Sequence, residues 1–250
     1  MTDVLSGVDA LDALQEDNSG SDNEFSSFKS GTTYIVKVLG TADLISFYSY
    51  GIYKKVNSFV AKNPSKKNKK GFPVENLTPW DKAWKYHKDR SKDFNDKHGQ
   101  EASKYRCKQR FAMGFFDLDS GEPIVIDVSK AQGQAIYSTI KKYEKKLDKL
   151  AFELSKQGSG QNTTVSLTPI IDMDEDLTDK QKKNFENAPA EFDKSKFEGI
   201  LYEMDEDEMV KALHDAGFDV TLIGYEVPSS EGEGEEAEPI EEITDDELPF

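Results

Sequence analysis

Residues 103–116 read SKYRCKQRFAMGFF. Taken as part of one long strand, Ser103 to Leu118, they place Lys104, Arg106, Lys108 and Arg110 in a row on one face. Tyr105, Cys107, Phe111, Met113 and Phe115 fall on the other face, with Gln109 among them. Same-face residues recur every ~6.6 Å along a strand, a spacing comparable with that of phosphates on an extended single strand. Four cations on one strand face repel one another unless an anion neutralises them. The plainer alternative is an exposed strand charged for solubility.

The flanking sequence supplies partners for such a strand. Asp119-Ser120-Gly121-Glu122 is a turn and Pro123–Val128 the returning strand. Ser129 with Gln132 forms a capping box. In the helix it opens, Ile136, Ile140, Tyr143, Leu147, Leu150 and Leu154 share a stripe. Gly158 to Gly160 closes that helix, and Thr163–Ile171 reads as a closing strand. Upstream, Thr33–Leu39 alternates like a strand, and Leu44–Ala61 is a long strand or a hairpin bent near Gly51. Lys62–Gly71 is a loop with five lysines. Thr78, Pro79 and Asp81 start a helix that runs to about Arg90, and Asp93–Gln100 reads as a polar loop.

About five strands with helices at their connections predict a mostly β fold with helical insertions, built on an OB-fold barrel. Composition divides the chain into an unpacked acidic arm (1–30), the barrel core (31–172), an acidic helical extension (173–227) and an unpacked acidic tail (228–250). In the extension, Asp205 and Glu208 start a helix, Gly217 ends it, and Val220–Tyr225 reads as a last strand.

The net charge of −16 is unevenly spread. Residues 29–156 hold 26 Lys and Arg against 14 Asp and Glu, whereas residues 1–28 and 226–250 hold no Lys or Arg at all. A basic body between acidic ends points to a polyanion partner. No apolar run approaches the ~20 residues that span a bilayer. A single cysteine, Cys107, provides neither a disulfide framework nor a multi-cysteine metal site. The expected compartment is a reducing cytoplasm, that of a host cell if the gene is viral.

Aromatic residues lie beside the bases. Tyr48, Tyr50 and Tyr53 precede Lys54 and Lys55, and Trp80, Trp84 and Tyr86 alternate with Lys82, Lys85 and Lys88. Proteins that hold unpaired strands stack bases on rings inside a cationic groove. Trp80, Trp84 and His87 also have the spacing of a buried helix face, so core packing competes for them. Lys66, Lys67, Lys69 and Lys70 suit a phosphate clamp, or else a solvated loop. Lys141, Lys142, Lys145, Lys146 and Lys149 read as the outer face of a helix.

Catalytic signatures are missing. There is no Walker loop, nucleophile elbow or HExxH. Asp172, Asp174 and Asp176 begin like a calcium loop, but Leu177 and Lys183 stand where Gly and Glu are required. His87, His98 and His214 are too dispersed to nominate as ligands. Neither a cofactor nor a metal is expected, and the chain is expected to bind rather than catalyse. The alternatives are a metal-dependent nuclease using Asp117, Asp119 and Asp127, or an acidic adaptor for a basic protein.

Asp245-Asp246-Glu247-Leu248-Pro249-Phe250 ends the chain. A terminal ring and a free carboxylate together suit a pocket with an apolar floor and a basic rim. This ending resembles the acidic tip of bacterial single-stranded DNA-binding proteins, which recruits replication and repair enzymes. Residues 30–172 resemble, in layout, the helix-destabilising single-stranded DNA-binding proteins of T-even phages. A Tyr- and Lys-rich strand pair comes first, then an insert with a helix near Pro79. The Lys/Arg row, the return Ile124–Val128 and the helix from Lys130 follow. The resemblance implies an OB fold, a role in DNA replication, recombination and repair, and DNA contacts from Lys104, Arg106, Lys108, Arg110 and Phe111. The chain departs from that family in two respects: its insert has no Cys for the zinc, and its N-terminal arm is acidic where theirs is basic.

Overall fold

Leu44 to Ala61 does fold back on itself. β2 (Leu44–Ile52) and β3 (Val56–Ala61) are joined by a turn in which Lys54 adopts φ 58°. This is the first hairpin of a computed structural model that describes residues 23–228. β1 (Thr33–Lys37) precedes it. A small hairpin, β4 (Lys66–Lys67) with β5 (Pro73–Glu75), follows it, then helix α1 (Pro79–Lys88).

The strand expected from Ser103 does not form over its first residues. Residues 97–105 form helix α2 (Lys97–Tyr105), and the strand β6 spans only Lys108–Asp117. The reason is local. The Asp96 carboxylate accepts the backbone N–H groups of Lys92, Asp93 and Gly99 and so caps a helix where a polar loop was read. Those three bonds hold its carboxyl well below the usual carboxylate range. Ala102 and Tyr105 then point inward against α1.

The Asp119–Glu122 turn joins β6 to β7 (Glu122–Ser129), paired from Arg110↔Ser129 to Asp117↔Glu122. Ser129 and Gln132 make the reciprocal capping box of α3 (Lys130–Lys142). The helical stripe read through Leu154 is cut short. Tyr143 leaves helical geometry (φ −105°, ψ 12°), and Leu154 lies on strand β8 (Phe152–Gln157). Ile136, Ile140, Leu147 and Leu154 nevertheless share one core, so the apolar spacing survived a change of element. β9 (Thr164–Pro169) pairs with β8.

The remaining elements are α4 (Met173–Asp176), α5 (Asp179–Asn187), β10 (Glu203–Met204) and α6 (Glu206–Asp215). Asp205 and Glu208 cap α6 as expected, and Gly217 follows it at φ 92°. Val220–Ile223 is a 3-10 turn rather than a strand, because Asp219 accepts the Thr221 N–H and closes the chain locally.

The fold is therefore mixed α/β, around one eight-stranded sheet in the order β10-β3-β2-β6-β1-β8-β9, with β7 on β6. Every pairing is antiparallel except β10 with β3. Among the described residues the sheet is not closed into a barrel, since its path ends at β9 and β10. No described helix is long and apolar enough to cross a membrane.

Three packing regions position the surface that matters. One face of the sheet buries Val36, Phe115, Ile126 and Phe152 against α3. The opposite face of β6 and β7 is covered by Phe192, Phe197 and Ile200. There Gly114 is necessarily a glycine, because a Cβ would collide with the Phe192 ring. The third region docks α1 and α6 on β2 and β3 through Tyr50, Phe59, Trp80, Met209 and Leu213. Residues ahead of β1 also pack: the Ser26 N–H donates to Val125 O at 2.8 Å, and Phe28 is buried.

Candidate nucleic-acid interface

The row of four cations does not form on one strand. Lys104 lies on α2 and pairs with Glu101 at 2.8 Å. Arg106 caps the end of that helix, exposed, with its guanidinium 4.8 Å over the Phe72 ring. Only Lys108 and Arg110 are on β6, opposite Ser49 and Phe47 of β2. They share the sheet face covered by Phe192 and Phe197, and Arg110 Nε donates to both oxygens of Asp127 at 2.8 and 2.9 Å. Tyr48 pairs with Gln109, on the other face.

Tyr50, expected to stack on bases, and Tyr105, beside the cation row and a candidate for DNA contact, are both buried. Tyr105 packs among Trp80, His87 and Phe218, and burial pushes its hydroxyl up to about 12. Tyr50 is 4% exposed, and its hydroxyl donates to Asp81 Oδ2 at 2.9 Å. Burial and the Asp81 charge both raise its pKa. Asp81 Oδ2 also accepts from Ser65 Oγ at 2.5 Å and faces the Lys67 ammonium at 3.5 Å. The Lys67 side chain is only 8% exposed. Its ammonium lies over the rings of Tyr48 (5.3 Å) and Tyr50 (5.7 Å). Lys67 is thus the internal anchor that ties the lysine loop to α1.

That anchor fixes what surrounds it. The β4–β5 turn is shaped by Asn68 Oδ1, which accepts the N–H groups of Lys70 and Phe72. Lys69 and Lys70 stand exposed on it, as does Lys66, which pairs with Glu75 at 2.6 Å. Gly71, at φ 80°, lies against the Tyr48 hydroxyl. Phe72 stacks on Trp84 at 5.8 Å and 17°, and so meets both Trp84 and the Arg106 guanidinium. The β2–β3 turn carries Tyr53, with the Lys54 ammonium 5.1 Å over its ring, and exposed Lys54 and Lys55. From Tyr48 a strip continues along the sheet. Gln109 donates to Ser46 Oγ at 3.0 Å, and Ser46 pairs with Phe111, which lies beside Gly133 of α3.

Phe72 and Tyr137 were not singled out in the sequence. Each left a signal: Phe72 follows the lysine loop directly, and Tyr137 is an aromatic residue one position off the apolar stripe of α3.

Where α1 meets α2, His87 Nδ1 and His98 Nδ1 are 2.9 Å apart. Such a pair shares one proton comfortably and two poorly. His87 is held below its usual 6.5, first by burial, then by His98, Arg90 and Lys104 against the opposing pull of Glu101. A base with a lowered folded-state pKa takes up protons more readily when unfolded, so stability rises with pH across that window. Urea unfolding should show stability falling as pH drops below about 6.5, and less so in His87→Gln. An equal loss in the variant would assign the effect to other groups. Cys107 is buried, and its thiol is pushed up to about 11 by that burial.

The acids weighed for catalysis serve separate structural roles. Asp117 accepts from Ser120 N and Oγ in the hairpin turn. Asp119 accepts from Gln181 at 2.8 Å, and Asp127 holds Arg110. Among the described residues no group of three or more His, Cys, Asp or Glu is placed to hold a metal ion. Asp245, Asp246, Glu247, Leu248, Pro249 and Phe250 lie outside the described residues. No protein-family model matches this chain, and no curated protein matches it significantly.

Proposed function

We propose that this chain binds single-stranded DNA without sequence preference and protects it in replication, recombination and repair. The observation that carries this reading is the group of Phe72, Trp84 and Arg106, with Tyr48 against Gly71, beside the exposed Lys66, Lys69 and Lys70. Rings and a guanidinium plane suit bases, whatever their identity, and the lysines suit phosphates. The basic balance of residues 29–156 supports it. The reading is of a binding protein rather than an enzyme, acting in the cytoplasm of the cell that carries it.

An OB-type framework belongs to the same proposal. β6 is shared by β2 over residues 108–113 and by β1 at residues 116–117, as in a partly open barrel whose long strand bends between two halves. The order of strand pair, helical insert, long strand, return and helix supports kinship with the T-even phage proteins. Recruitment of partner proteins is assigned to the terminal Asp245–Phe250 on its sequence alone.

The test is a titration of fluorescent oligo(dT) at several salt concentrations, with duplex DNA beside it. Affinity should fall with a log–log slope of about −0.7 for each phosphate contact. A flat response, or no binding at low salt, removes the reading and favours the acidic adaptor. Deleting Phe250 should leave this affinity intact while abolishing capture of host replication proteins.

A further inference from the structure

Beyond Phe111 the strip of Tyr48, Gln109 and Ser46 runs into a cleft of about 360 Å³ between β2, β6 and α3. Leu44, Phe111 and Met113 line it from the sheet, and Lys130, Gly133 and Tyr137 from the helix. That volume lies within the ~300–1,000 Å³ of small-molecule pockets. Tyr137 is 41% exposed and so presents part of its ring to solvent. Its neighbour Ile136 is buried in the core, so Tyr137 sits just off the stripe that holds the helix down. Gly133, one turn earlier, keeps the space over the Phe111 ring open. Lys130 is exposed and contributes a cation to a mostly apolar lining that Thr41 and Gln134 also border.

We infer that this cleft takes one unpaired nucleobase of the bound strand, stacked on Tyr137, with Lys130 against the adjoining phosphate. The inference rests on the single-stranded DNA reading above. A base is the occupant favoured because the cleft continues the strip of half-buried rings, offers an exposed ring of its own, and bears a positive side chain. An apolar peptide would have no use for that cation. The bound strand therefore passes from the lysine hairpin along β2 and β6 to α3, and longer oligonucleotides gain affinity when they reach the helix.

The experiment measures oligo(dT) affinity for the full chain and for Tyr137→Ala, Tyr137→Phe and Tyr202→Ala. Tyr202 is 60% exposed beside β10 and is the control for a surface ring. Tyr137→Ala should weaken binding about 5- to 150-fold, the range of one base–aromatic stack. Tyr137→Phe should stay near wild type, and Tyr202→Ala should not change. A Tyr137→Trp chain supplies a second readout, since its added indole fluorescence should be quenched on binding. If wild type binds but Tyr137→Ala binds equally well and the Trp signal is unmoved, the cleft assignment falls and the wider reading stands. A variant altered only in self-association overturns it too. If wild type does not bind, both fall.

Discussion

Replacing Asp81 with alanine is expected to destabilise the fold by about 3–5 kcal/mol, as when one partner of a buried ion pair is removed. Asp81 is 1% exposed and serves Tyr50, Ser65 and Lys67 with a single oxygen. Without it the ammonium of Lys67, whose side chain is 8% exposed, keeps only the Tyr48 and Tyr50 rings and the hydroxyls of Ser65 and Tyr50 as partners. The carboxylate also anchors the lysine loop, so the variant should lose order there before it unfolds globally. Urea denaturation gives the first effect, and amide exchange of residues 62–72 the second. Asp81→Asn restores some hydrogen bonding but not the charge, and should fall between the two. A loss below about 1 kcal/mol for Asp81→Ala would mean that water reaches Lys67 and that the pair is not buried in solution.

Phe72→Ala combined with Arg106→Ala should weaken oligo(dT) binding about 100-fold, ~2.7 kcal/mol. The guanidinium of Arg106 lies 4.8 Å from the Phe72 ring, and Phe72 itself stacks on Trp84. The outer face of the guanidinium can then carry a base while its edge donates to phosphate. Arg106→Lys keeps the charge but not the plane, so it should retain the salt dependence and lose the stacking. Losing the arginine should also shallow the salt slope by about 0.7 if one phosphate contact goes with it. Equal affinity in the double variant, with unchanged thermal stability, would move the DNA path away from the hairpin.

The candidate interface was only partly legible in the sequence. Charge and ring density point to Lys66, Lys69, Lys70, Tyr48 and Trp84; the three lysines are exposed on the hairpin, Tyr48 lies against its Gly71, and Trp84 stacks on Phe72. The row of Lys104, Arg106, Lys108 and Arg110 was not real. Its alternation spans a helix end and a strand start, and Arg110 has a carboxylate across the sheet. Lys67 and Tyr50 looked like surface groups because nothing near them in the chain announces a buried Asp81. The continuous stripe through Leu154 was persuasive for a related reason. Helix and strand deliver their apolar residues to the same core, so spacing alone did not reveal the change at Tyr143.

The sequence by itself determined the Asp119–Glu122 hairpin turn, the caps at Thr78, Ser129 and Asp205, and the division of charge along the chain. Each of these depends on groups within about four residues of one another, or on composition. Tertiary structure alone decided which cations are spent inside the protein and which face outward. It also decided which rings lie in the core and that Tyr137 borders a cleft. Burial and ion pairing depend on what the fold brings opposite a residue, and the partners here, Lys67 with Asp81 and Arg110 with Asp127, lie 14 and 17 positions apart.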